Sequence, residues 1–270
     1  MILDSCYAIG STHTTCQDYA LSFKSLAKNF IAVSDGCSSS PNTDFGSRIL
    51  VKAFQNSYLS NFTYPSHSGF LDILWSCAIK SVEQISNLEN ASLDATLLFA
   101  NKTEKTIDVT MIGDGTVSVK AKDGMIFTKT IEYKGNAPLY LSYLYSEERI
   151  NLRKASFDCT KVVTEYMHKN GVILNSTKRV STNDIERFSF AIEDYESVTL
   201  FSDGISSFVQ RAGGDYSRIP EHIVVEYMIK YTNRTGGYTK NHFYNVLKML
   251  AMDGKINTDD FSAATFFLYE

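Results

Sequence analysis

Asn29-Phe-Ile-Ala-Val-Ser-Asp35-Gly36 is the stretch from which the rest of the chain is read. Its apolar run has the length and composition of a buried strand. It ends on a carboxylate followed by glycine, the residue that lets a backbone turn sharply. The device recurs in Thr110-Met-Ile-Gly-Asp114-Gly115 and in Val198-Thr-Leu-Phe-Ser-Asp203-Gly204, and Asp259-Asp260 leads into the apolar run Phe261–Leu268. Carboxylates at strand ends are well placed to line a cleft. Several brought together repel one another or are driven to hold protons. A hard divalent cation removes that conflict, because oxygen ligands suit Mg²⁺ or Mn²⁺. The pattern points to a metal-dependent phosphoryl-transfer or hydrolysis site.

The rest of the composition narrows the class. At 270 residues the chain is long enough for one large domain or two small ones, and its 44% apolar and 21% charged residues are those of an ordinary globular protein. A net charge of −4 without a basic stripe argues against a nucleic-acid partner. The five cysteines are scattered with no Cys-x-x-Cys pair, which fits a reducing cytoplasm better than secretion. Met1-Ile-Leu-Asp-Ser-Cys6 lacks the basic segment and apolar core of a signal peptide. The Asn-x-Ser/Thr triplets at Asn61, Asn90, Asn101, Asn175 and Asn233 are therefore read as coincidence. No apolar run approaches the roughly 20 residues needed to span a bilayer. The expectation is a cytoplasmic protein with no membrane partner.

Periodicity places the elements. Residues 2–9, 19–25 and 29–34 read as strands. Phe45, Ile49, Ala53, Phe54 and Tyr58 mark one face of a helix over 44–59. Phe70, Ile73, Leu74, Cys77, Ala78, Val82 and Ile85 mark a second helix, with Ser68 as its cap. Strands return at 95–100, 106–112, 116–120 and 125–128, the last two joined by a Lys122-Asp-Gly124 turn. Residues 133–160 are rich in tyrosine and weakly periodic, and read as a surface flap. Strands follow at 161–165, 197–202 and 261–268, and helices at 205–210, 219–231 and 238–252. This order lacks the strict alternation of a doubly wound parallel sheet. It suits an α+β fold of one domain over 1–270, two packed antiparallel β-sheets flanked by helices.

Taken in order, the motifs are Gly10-x-x-His13-x-x-x-Gln17-Asp18-x-Ala20, Ala32-Val-Ser-Asp-Gly36, Asp94-Ala-Thr-Leu-Leu98, Ile112-Gly-Asp-Gly115, Leu200-Phe-Ser-Asp-Gly-Ile205 and Asp259-Asp-Phe-Ser262. Any one Asp-Gly is a weak signal, but six pieces in sequence are a strong one. Together they resemble the metal-dependent protein phosphatase 2C (PPM) family, most closely its bacterial branch with His upstream of Gln-Asp. Asn136-Ala-Pro-Leu-Tyr-Leu-Ser142 is similar to a flap segment of that branch. The resemblance spans nearly the whole chain.

The resemblance implies an α/β/β/α sandwich and a serine/threonine phosphoprotein phosphatase. It would hydrolyse phosphomonoesters with a water activated by two Mg²⁺ or Mn²⁺ ions. Asp35 would bridge the ions, with the Gly36 carbonyl on one of them. Asp203 and Asp259 would hold the other side, Asp260 being the rival for the Asp259 role. Asp18 would act through waters, and Asp114 with Asp203 would form a third, weaker metal site. A phosphoserine or phosphothreonine protein is the implied substrate, with an opposing Ser/Thr kinase. The chain has no Cys-x₅-Arg loop, Gly-x-Ser-x-Gly elbow or His-Glu-x-x-His motif of a different hydrolase chemistry.

Two departures from the family stand out. His13 occupies the place where many members grip phosphate with Arg, and it offers fewer donors and a conditional charge. Cys37 stands where many members have His after the Asp-Gly pair, and a thiol is a weak substitute for protonating a leaving group. These changes keep open a catalytically weak pseudophosphatase that docks a kinase or signalling partner. A phosphatase or phosphodiesterase for small molecules is a third reading. Other polar residues receive plainer readings. Asp94 caps or turns into a strand, Cys37 is a small buried residue, and Tyr133, Tyr140, Tyr143 and Tyr145 pack the flap. His67, His168, His222 and His242 are surface or helix histidines.

Overall fold

The structure, a computed structural model, describes residues 1–60, 67–212, 215–230 and 238–268. One antiparallel sheet runs in the order β1 (Ile2–Ala8), β15 (Phe261–Phe267), β11 (Tyr195–Phe201), β6 (Gly115–Ala121), β7 (Ile126–Tyr133), β8 (Lys161–Lys169) and β9 (Val172–Ser181). A second has the order β10 (Glu186–Ala191), β5 (Thr106–Ile112), β4 (Leu97–Lys102), β3 (Asn29–Ser34) and β2 (Tyr19–Lys24). A small third sheet joins β13 (Asp215–Arg218), β12 (Phe208–Ala212) and β14 (Lys255–Asn257).

The side-chain period of two explains the layering. On β3, Ile31 and Val33 point between the two large sheets, where they meet Leu98, Val109, Leu200 and Ala264. Phe30 and Ala32 point the other way, against Leu50, Phe54 and Leu74 of α1 (Thr43–Leu59) and α2 (His67–Glu83). Buried on both faces, β3 reads as a continuous apolar run. The outer face of the seven-stranded sheet is covered by α5 (Glu221–Ile229) and α6 (Tyr238–Met252), which bury Val224, Met228, Phe243 and Leu250 against Phe201 and Phe261. The result is the expected order of helices, sheet, sheet, helices.

Several local expectations are corrected. Phe45 is 50% exposed, and the face of α1 that packs is Leu50, Val51 and Phe54. Ser68 lies inside the first turn of α2, and Ile85 is exposed beyond its end. The helix expected at 205–210 is a 3-10 turn, Asp203–Ser206, followed by β12. Six residues are too few for periodicity to separate helix from strand, and pairing with β13 and β14 decides. Strands β9 and β10 were not expected. β9 is exposed along its first nine residues and so carries no buried alternation to read.

The segment 133–160 is rooted in the core rather than laid on the surface. It holds α3 (Leu141–Leu144) and α4 (Glu147–Ser156), and Leu139, Tyr140 and Leu141 are buried. Tyr145 stacks on Trp75 with ring centroids 5.1 Å apart and donates a 2.7 Å hydrogen bond to Asp72. Asp94 caps the 3-10 turn Asn90–Leu93, as expected, and is an anchor as well. Its buried carboxylate accepts from Ser40 (2.8 Å), Ser142 (2.6 Å) and Arg149.

His242 is a helix histidine, as expected, buried on α6, whereas His168 is buried on β8, against the surface-or-helix reading. Burial pushes the His168 imidazole down to about 4, although Glu226 opposes the shift. The Nε2 atom of His242 lies 3.0 Å from the Met228 carbonyl. Asn61, Asn233 and the His67 side chain lie outside the described residues. All five cysteines are free thiols. Among the described residues no helix is long and apolar enough to cross a membrane.

Candidate active site

Strand register collects the acidic residues at one end of the sandwich. Tyr19 pairs with Ser34, so Asp18 and Asp35 flank the same end of the β2–β3 hairpin. Val33 pairs with Leu98 and Leu97 with Ile112, which carries that end across to β5. From there Gly113-Asp114-Gly115 steps from one sheet to the other. Both glycines hold positive φ, 96° and 130°, in the region that favours glycine, and so permit the crossing. In the other sheet Phe201 pairs with Thr116 on one side and Ala263 on the other. Asp203 therefore lies between Asp114 and the Asp259-Asp260 pair. The backbone of the Asp203 turn presses on the Asp260 carbonyl, where a Cβ on Gly204 would come within 1.8 Å of the oxygen.

The electrostatics show how close the groups are. Asp18 is fully buried, and neither carboxylate oxygen has a hydrogen-bond partner of good geometry. Burial pushes its pKa up to about 6, while Asp35, Ser202 and Ser262 are the polar neighbours that hold it down. Asp35 is raised well above the carboxylate range by burial, then by the charges of Asp18 and Asp203, the Asp18 hydrogen bond and the Asp114 charge. The two carboxyl groups thus disfavour one another's ionisation, and burial raises both. Asp203 is raised well above the range by burial and by the charges of Asp114, Asp259 and Asp18. Burial, with Glu132 and Asp259, lifts Asp114 to about 7.

Asp259 and Asp260 have different surroundings. Asp260 is buried and accepts from the Gly10 N–H (2.8 Å) and the Gln17 N–H (2.6 Å), so its oxygens tether the loop before β2. The Asp259 side chain is 48% exposed. His13 lies between them, Nε2 3.2 Å from Asp259 and Nδ1 3.1 Å from Asp260. Burial pulls the His13 pKa down, but its hydrogen bond to Asp260 and the charges of Asp260, Asp259 and Asp18 outweigh it, and the net shift is upward.

Cys37 is half-buried, not enclosed as a small core residue. Its N–H donates to the Asp94 carbonyl (2.8 Å), and its thiol lies 3.0 Å from the Ser39 hydroxyl. Burial raises the thiol pKa, but hydrogen bonds from Ser39 and Tyr140 overcome it and the net shift is downward. Tyr140 thus brings the flap root beside the Asp35 loop. Three supporting groups had no distinct sequence signal. They are Thr96, whose hydroxyl accepts from the Asp35 N–H (3.0 Å), and the Ser202 and Ser262 hydroxyls beside Asp18. Both serines lie inside the quoted motifs but are too common a residue type to single out.

The donor set fits hard divalent cations: carboxylate oxygens, two of them buried and unpartnered on Asp18. Among the described residues no group of three or more His, Cys, Asp or Glu side chains is set to hold a metal ion as the side chains stand. The aspartates are gathered at one end without being trained on one point. A hollow of about 460 Å³, lined by Tyr133, Arg153, Lys161 and Asn183, opens beside the flap instead of over the carboxylates. Chemistry, not hollow size, marks the site.

Comparison with known proteins identifies the family and the fold. The protein phosphatase 2C family profile matches residues 10–243. No curated protein sequence matches the chain. The structure is similar to serine/threonine phosphatase Stp1 from Staphylococcus aureus, at 12% identity over 99% of this chain and 95% of that one, TM-score 0.59. It is also similar to the S. agalactiae serine/threonine phosphatase, at 12% identity over 98% and 99% of the two chains, TM-score 0.51. The Mycobacterium tuberculosis phosphatase PstP/Ppp shares 12% identity over 100% and 99%, TM-score 0.50. At such identities these likenesses speak for the fold alone.

Proposed function

The chain belongs to the protein phosphatase 2C family, and is by that membership a metal-dependent serine/threonine phosphatase, and we propose that the acidic cluster at the end of its sandwich is the catalytic centre. Asp35 with the Gly36 carbonyl, Asp203 and Asp259 would hold two ions, Asp18 would act beside them, and Asp114 with Asp203 would hold a third. Mg²⁺ or Mn²⁺ bound there would neutralise the gathered charge and lower the pKa of water. The buried, unpartnered carboxylate of Asp18 beside Asp35 carries this reading.

The chain's own groups have definable tasks. Asp18 and Asp35, whose ionisation burial and mutual repulsion disfavour, would be held as carboxylates by a bound cation. His13, favoured as a cation by Asp259 and Asp260, puts positive charge at the mouth where a phosphate dianion arrives. Water attacks phosphorus in line with the departing seryl or threonyl oxygen, which leaves with a proton. The Cys37 thiol and the Tyr140 hydroxyl are protic groups beside the Asp35 loop on the flap side. The substrate is a phosphoprotein, and an opposing kinase and a cytoplasmic setting complete the proposal. Strands from both ends of the chain share one core, which supports a single domain.

Turnover of an aryl phosphate and a phosphothreonine peptide tests the reading. Activity should require Mn²⁺ or Mg²⁺ and disappear with chelator. A folded protein that turns over neither compound would overturn it.

A further inference from the structure

Glu221 opens α5, far in sequence from every residue placed in the acidic cluster, yet its carboxylate gathers hydroxyls from four elements. Its Oε1 accepts from Thr116 (2.9 Å) on β6, Thr130 (2.7 Å) on β7 and Tyr166 (3.1 Å) on β8. Its Oε2 accepts from Ser206 (3.0 Å). Two of these partners adjoin the cluster. Thr116 follows Asp114-Gly115, and Ser206 closes the turn that begins at Asp203. The Ser206 carbonyl also accepts from Arg218 Nε (2.8 Å), so the turn is gripped by side chain and backbone. Its other flank is tied to the last strand, the Ser202 N–H donating to the Ser262 carbonyl (3.0 Å) and the Ser262 N–H to the Ser202 hydroxyl (2.9 Å). A carboxylate at the first position of a helix also sits at the end of the dipole that favours it.

Asp114 and Asp203 are carboxyl groups on neighbouring turns, and the charge of Asp114 disfavours ionisation of Asp203. Backbone pairing of Phe201 with Thr116 joins the strand ends behind them, and Glu221 adds a side-chain tie, since one carboxylate holds both the start of β6 and the end of the Asp203 turn. We propose that Glu221 is a positioning residue that sets the spacing of Asp114 and Asp203, and through it the affinity of that pair for a divalent cation. It touches neither substrate nor reacting atoms. The proposal rests on the phosphatase reading only in placing those two aspartates at the metal centre.

The test compares Glu221→Leu with Glu221→Gln in the full chain. Each is titrated with Mn²⁺ alone by calorimetry and assayed on an aryl phosphate across Mn²⁺ concentrations. Glu221→Leu should weaken Mn²⁺ binding by about 10-fold or more, in the range of a lost partner behind a metal ligand. Its kcat at limiting Mn²⁺ should fall and recover as Mn²⁺ is raised, with KM unchanged. Glu221→Gln keeps an oxygen to accept from Thr116, Thr130 and Tyr166 and presents an N–H to the Ser206 hydroxyl, which can accept it, and should stay within about 3-fold of the parent. Ser206→Ala cuts only the tie to the turn, and should weaken Mn²⁺ in the same direction even if Glu221→Leu fails to fold. Unchanged Mn²⁺ affinity in Ser206→Ala, or in a folded Glu221→Leu, overturns the proposal, as does a Glu221→Gln variant no better than Glu221→Leu. A parent that binds Mn²⁺ but turns nothing over defeats the phosphatase reading alone, and the affinity comparison still decides the role of Glu221. A parent that binds no Mn²⁺ defeats both.

Discussion

Asp94 and Arg149 form an ion pair between residues 55 apart in sequence, one side chain 1% exposed and the other 29%. It ties α4 to the segment that also receives the Cys37 N–H and the Ser40 hydroxyl. Removing one partner of a buried pair leaves an uncompensated charge. Arg149→Met should cost about 2–3 kcal/mol, below the full range because Arg149 is partly solvated. Asp94→Asn, which keeps shape and hydrogen bonding, should cost less, about 1–2 kcal/mol. Urea denaturation measures both, and an unmoved midpoint in Arg149→Met would show that the pair carries no stability.

The metal-free protein should be more stable in mild acid than at neutral pH and above. Asp18 and Asp114 have folded pKa values raised to about 6 and about 7. A raised folded pKa means that the native state binds the proton more tightly. The stabilisation is full below the ordinary aspartate range and is lost as pH rises through 6 to 7. In chelator, the melting temperature at about pH 5 should exceed that at about pH 8, and Mn²⁺ should raise it most at the higher pH. A metal-free melting temperature that climbs steadily from acid to neutral pH would contradict the gathering of these groups.

Asp35→Asn and Asp203→Asn should each lower kcat at least about 100-fold, the scale of losing one charge-stabilising group. Neither should unfold the protein, because each removes a charge from a crowded set. Melting in chelator should be unchanged or higher than for the parent. Retained activity in either variant would defeat the catalytic assignment.

Neighbouring aspartates should respond differently to the same change. Asp260→Ala strands the Gly10 and Gln17 N–H donors and should destabilise by about 2–4 kcal/mol. Asp259→Ala should leave stability within about 0.5 kcal/mol, as at an exposed site, and weaken Mn²⁺ binding. The reverse pattern in calorimetry would assign the ligand role to Asp260.

The legible parts of the fold were those in which local sequence and burial agree. β3 announces itself because both its faces are covered, and α6 because its apolar spacing matches the helical period. β9 was illegible because Val172-Ile-Leu-Asn-Ser-Thr-Lys-Arg-Val180 packs on nothing that selects for a pattern. β12 was misread because β14, which pairs its other edge, lies far on in the sequence, and the six residues read as a helix carry no period. At the site, aspartates before glycines stood out by type and spacing. Asp94 and Glu221 did not, because their meaning lies in partners, Arg149 in one case and Ser206 in the other, that only the folded chain brings near. The flap tyrosines were visible as a group, but only the Trp75 stack and the Cys37 contact assign them to packing.

Asp18 and Asp35 are delivered by the five-stranded sheet, Asp203 and Asp259 by the seven-stranded one, and Asp114 by the crossing between them. The interlayer filling of Val33, Leu200 and Ala264 therefore acts as a gauge block between the two groups of aspartates. Widening it by one methylene would part them, so the spacing of the charged groups is written in residues that carry no charge.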